Sequence, residues 1–117
     1  MSALNGARLN EFLQHMLIAI ERIGTYIENH TVDHFLKTPL LQDAVVRNIE
    51  VLGEASHQLM KRFPEFTSSH PEVPWEAIYY MRNRIIHGYV SIDFDLVWTV
   101  INKDLPHLQI QLKSIKV

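Results

Sequence analysis

The chain has no cysteine. Disulfides, thiolate zinc sites and cysteine nucleophiles are therefore excluded, and the absence suits a cytoplasmic setting. Glycine is scarce, at 4 in 117 residues, which leaves little room for the many tight turns of an all-β fold. Lysine and arginine form no block, and the formal net charge is −2. Nucleic-acid binders usually carry a basic footprint, so any contact with RNA has to rest on local charge. No apolar run is long: residues 16–20 are followed by Glu21-Arg22, far short of the roughly 20 residues that span a bilayer. The first six residues lack a basic segment followed by an apolar one, so neither a signal peptide nor membrane attachment is expected.

What is present reads as one globular domain over residues 1–117. Hydrophobic residues make up 47% and charged residues 21%, an ordinary balance for a chain that buries a single core. Over residues 7–30, Phe12, Leu13, Met16, Leu17, Ile20, Ile23 and Ile27 recur at helical spacing. Residues 31–37 read as a connector with room for one helical turn. Thr38-Pro39 is a helix start, with threonine as N-cap and proline at the first position. That second helix runs to about residue 62, with Leu41, Val45, Ile49, Leu52, Ala55 and Leu59 facing inward. Gly53 in its middle costs about 1 kcal/mol relative to alanine, which points to a close helix–helix approach there. Residues 63–74 carry Phe-Pro, Ser-Ser, His-Pro and Val-Pro and read as a loop. Pro74 opens a third helix that Gly88 closes, and Ser91 or Asp93 caps a fourth, in which Pro106 should introduce a kink or a break. The expected fold is all-α: an up-and-down bundle of four main helices, with scope for a short extra one.

The carboxylates and histidines offer little for a metal. Glu54-Ala55-Ser56-His57 matches the Glu-x-x-His element of di-iron bundles, but no second copy exists. His30 and His34 lack a third ligand. No metal or other cofactor is expected, and Glu54 is better read as an ion-pair partner for an arginine such as Arg84.

The segment Met81-Arg82-Asn83-Arg84-Ile85-Ile86-His87-Gly88-Tyr89 packs cations, an amide, an imidazole and a phenol into about two turns. On a continuous helix Asn83 and His87 share a face. Arg82 lies roughly 140° away from His87, so the two converge only if the last turn unwinds. Two readings stand. Histidine followed by glycine is a common helix C-terminus, where a cation favours the dipole. Alternatively, a guanidinium clamps a phosphate while an imidazole acts as base or acid on a ribose hydroxyl.

These residues resemble the HepT-like toxins of the HEPN superfamily, whose pattern R-N-x-x-x-H-x-Y is met by Arg82, Asn83, His87 and Tyr89. Residues 47–55 resemble that family's second-helix segment, and Val73-Pro74-Trp75 the lead-in to its motif helix. The resemblance implies a bundle that forms a homodimer around a shared cleft. It implies a metal-independent endoribonuclease acting on tRNA or other RNA, with Arg82 and His87 catalytic and Asn83 orienting the site. Arg84 would add to a local RNA-binding groove. A nucleotidyltransferase antitoxin would be the partner, silencing the toxin by adenylylation of Tyr89. A different class of function also fits: a non-catalytic module that docks a nucleotidyltransferase or binds a nucleotide.

Overall fold

The computed structural model describes residues 3–87 and 91–116. Among them are six helices and one pair of two-residue strands. Helix α1 (Ala3–Ile27) buries Leu9, Leu13, Met16, Ile20 and Ile23 along one face, as a 3.6-residue period requires. It ends three residues earlier than expected. Asn29 then takes a left-handed backbone at φ 62°, a conformation asparagine tolerates because its short side chain can bond locally.

The connector holds α2 (Val32–Leu36), started by Thr31, whose hydroxyl accepts from the His34 N–H at 3.1 Å. This short helix places Phe35 wholly in the core, its ring 5.3 Å from Trp98 and 6.0 Å from Phe94. Helix α3 (Pro39–Arg62) begins where Thr38-Pro39 indicates. The threonine hydroxyl does not cap it, however, but donates back to the His34 carbonyl at 2.6 Å. Helix α3 is the central rod, packed against α1 on one side and α5 on the other.

Two expectations are corrected and a third is narrowed. Residues 63–74 are not all loop, because α4 (Pro64–Ser69) forms within them. Pro64 sits in its first turn, where a missing N–H leaves no bond unmade. Helix α5 (Trp75–Ile85) does not run on to Gly88. Ile86 is extended (φ −100°, ψ 116°), and β1 (Ile86–His87) pairs antiparallel with β2 (Ser91–Ile92). Pro106 does not break α6 (Phe94–Lys113). It lies on the exposed side, above exposed Asn102, so the carbonyl that loses its N–H partner can turn to water. Asp93 does cap α6, its carboxylate accepting from the Leu96 N–H at 3.0 Å.

The register between α3 and α5 positions everything that follows. The Ser56 hydroxyl donates to the Trp75 carbonyl at 2.7 Å. A Cβ on Gly53 would stand 3.3 Å from the carbonyl oxygens of Ile78 and Tyr79. Three residues back along α3 is therefore about three forward along α5, and the two helices run antiparallel. The close approach anticipated for Gly53 is the contact that lets them touch.

Candidate active site at the end of α5

Met81 and Ile85 lie four apart and are both buried, as is Ile78 one turn earlier. They fix the inner face of α5, so the three residues between Met81 and Ile85 must point away from the core. Arg82, Asn83 and Arg84 are accordingly all exposed. Continuing the α3–α5 register one more turn brings Glu50 opposite Arg82. Its Oε1 stands 3.5 Å from the Arg82 Nε.

This corrects the pairing of Glu54 with Arg84. The register puts those two residues about two turns out of step. Glu54 instead accepts from the Gln58 amide at 2.8 Å, and Gln58 accepts from the Arg62 Nε at 2.8 Å. Arg84 makes no ion pair or hydrogen bond with another described residue. Glu50 reads from sequence as no more than an ion-pair or surface residue; what the sequence did not supply is its partner, Arg82. The signal was present in Gly53: once it marks the α3–α5 contact, the residue three earlier must face Arg82.

The last turn does unwind, two residues ahead of Gly88. With Ile86 extended, His87 leaves the helix and its backbone pairs with Ser91. A helical Asn83–His87 pair on one face therefore does not exist. The Asp93 N–H donates to the Ile85 carbonyl at 2.8 Å, tying the start of α6 to the end of α5. The side chain of His87 lies outside the described residues, as do Gly88, Tyr89 and their contacts. The structure therefore brings Arg82, Asn83 and Arg84 to one helix end and carries the backbone of His87 off it.

Beside Arg82 a groove of about 440 Å³ runs between α1, α3 and α5, bordered by Phe12, His15, Arg47, Glu50 and Glu54. Arg8 and Arg62 lie over the Phe12 ring at 5.5 and 5.7 Å. Within the Glu-x-x-His element the His57 ring stacks on Tyr79 at 4.2 Å. His30 and His34 stack on each other at 4.5 Å. Among the described residues, no three histidine or carboxylate groups gather as a metal site. No helix among them is long and apolar enough to cross a membrane.

The pattern of the family described as "Ribonuclease HepT-like" matches residues 16–115. The chain belongs to the HepT-like family. A protein of Caldanaerobacter subterraneus subsp. tengcongensis named "Putative RNase" is 36% identical over 89% of this chain and 90% of its own length. "Probable ribonuclease HepT" of Thermococcus cleftensis is 30% identical over 91% of this chain and 94% of its own. A Methanocaldococcus jannaschii protein named "Gamma-glutamylcyclotransferase and putative RNase" is 38% identical over 89% of this chain. This chain spans only 46% of that relative's length. No solved structure gives a significant match.

Proposed function

We propose that this HepT-like chain is a metal-independent endoribonuclease, the toxin of a two-component system. It cleaves tRNA or other RNA and is silenced by a nucleotidyltransferase antitoxin. One placement carries the proposal: Arg82 and Asn83 stand exposed on the last turn of α5, and the chain breaks out of the helix just before His87. Family membership and the names of the relatives support the ribonuclease part.

Arg82 supplies a permanent cation whose fork of donors matches two phosphate oxygens. His87 takes the proton of the ribose 2′-hydroxyl as that oxygen attacks the adjacent phosphorus. The bond from phosphorus to the 5′-oxygen breaks, and a general acid protonates that oxygen. The products are a 2′,3′-cyclic phosphate and a 5′-hydroxyl. Charge gathers on the phosphoryl oxygens in the transition state, which is where a fixed guanidinium contributes most. Base and acid are needed in one step, while each chain has a single motif histidine. A two-fold homodimer supplies the second. An adenylyl group on Tyr89, two residues past His87, would bring negative charge and bulk to the place the RNA phosphate must occupy.

Expression of the chain alone should arrest growth, and Arg82→Ala or His87→Ala should relieve the arrest. Co-expression with a nucleotidyltransferase antitoxin should raise the mass of the Tyr89 peptide by one adenylyl group or more. Arrest that persists in the Arg82→Ala, His87→Ala double variant would place the toxicity elsewhere and end the proposal.

A further inference from the structure

Glu50 takes no part in the chemistry above, yet it is the group that holds Arg82. We propose that Glu50 is a positioning residue, gripping the Arg82 guanidinium by Nε so that its terminal nitrogens are presented to the scissile phosphate. This role rests on the ribonuclease reading of the site. The contact is specific: Oε1 of Glu50 stands 3.5 Å from Nε, and Arg82 makes no other ion pair or hydrogen bond with a described residue. Nε is the inner edge of the guanidinium. A carboxylate there leaves the outer fork, the edge suited to two phosphate oxygens, without a described partner.

The platform under Glu50 is stiff. Ile49 and Leu52 flank it in the core, 1% and 0% exposed, and Gly53 locks α3 against the α5 backbone. The backbone that carries Glu50 is therefore held in register with the stem of Arg82, a long side chain that otherwise samples many rotamers.

Two other roles fit less well. Side-chain exposures of 53% for Arg82 and 38% for Glu50 make this a solvent-screened pair of the kind that contributes little to stability. A carboxylate beside the phosphate site also weakens anion binding by like-charge repulsion, so Glu50 does not serve as an RNA contact. Orientation accounts for its presence without either.

The test compares wild type with Glu50→Ala and Glu50→Gln by three measurements on the full chain. These are the Arg82 Nε–H signal in ¹H–¹⁵N spectra, assigned by its loss in Arg82→Lys; kcat and KM for RNA cleavage in EDTA; and the melting temperature. In Glu50→Ala the Arg82 signal should shift and exchange faster with water. Its kcat should fall on the order of ten- to a hundredfold, as for a misplaced catalytic group, with KM not raised and the fold retained. Glu50→Gln keeps an acceptor at the same reach and should recover most of kcat, and it remains decisive if the alanine variant fails to fold. Unchanged kcat in both variants, an Arg82 signal indifferent to Glu50, or a raised KM at constant kcat would each overturn the role while wild type still cleaves. Wild type that cleaves no RNA would end the ribonuclease reading itself, and this role with it.

Discussion

An arginine half open to solvent, as Arg82 is, acts on a phosphate through geometry as much as charge, because water and salt screen the charge. Arg82→Lys keeps the charge but loses the fork, so it should lose most of the activity that Arg82→Ala loses. The alanine variant should lose about 10²–10³ in kcat, the usual scale for a single electrostatic stabiliser of the transition state. A lysine variant with near wild-type kcat would show that a point charge suffices. A second residue-scale expectation concerns the loop that leads into α5. The Glu72 carboxyl is held below its usual range by the hydrogen bond from its own backbone, and then by His70 at 3.0 Å. A carboxyl whose pKa is lower in the folded state contributes stability above its unfolded value and loses it as pH falls through the folded one. Glu72→Gln should therefore narrow the difference in melting temperature between neutral and strongly acidic solution. An unchanged difference would show that the loop gains nothing from this charge.

Among the elements, the contact between α3 and α5 matters most, because it sets Glu50 against Arg82. Gly53→Val would drive a branched side chain into the carbonyls of Ile78 and Tyr79, which are backbone and cannot swing aside. It should destabilise by about 2–3 kcal/mol. Gly24→Ala meets nothing within 4 Å near the end of α1 and should stabilise by roughly 0.5–1 kcal/mol. Denaturant unfolding of the two variants checks the contrast, and equal effects would mean that the approach at Gly53 is not tight. The long helices were legible because their apolar residues repeat at 3.6 and because Thr38-Pro39 and Asp93 mark starts. The end of α5 was not. Gly88 looks like a helix terminator, but Ile86 and Ile92 are partly buried against the core and pair across a hairpin. A β-branched residue serves that role well. Likewise Pro64 reads as a breaker, although proline at a first helical position starts a helix as readily as it stops one.

For the whole molecule, the bundle is a frame that turns one short polar segment outward. Arg82 and Asn83 could be picked from the sequence because no other stretch gathers such groups, and because the family pattern falls on them. Glu50 reads from sequence only as an ion-pair or surface residue, since its partner, 32 positions further on, is decided by how α3 and α5 come into register. One chain offers a single copy of the motif, and the proposed mechanism needs two. The chain should accordingly sediment as a dimer, and a heterodimer of wild type with the Arg82→Ala, His87→Ala variant should lose most of its activity. The most direct measurement is cleavage of end-labelled RNA by the purified chain in EDTA, with analysis of the new ends. The proposed function predicts 2′,3′-cyclic phosphate products from wild type and none from the double variant. Equal cleavage by both proteins, or cleavage that EDTA abolishes, would contradict it.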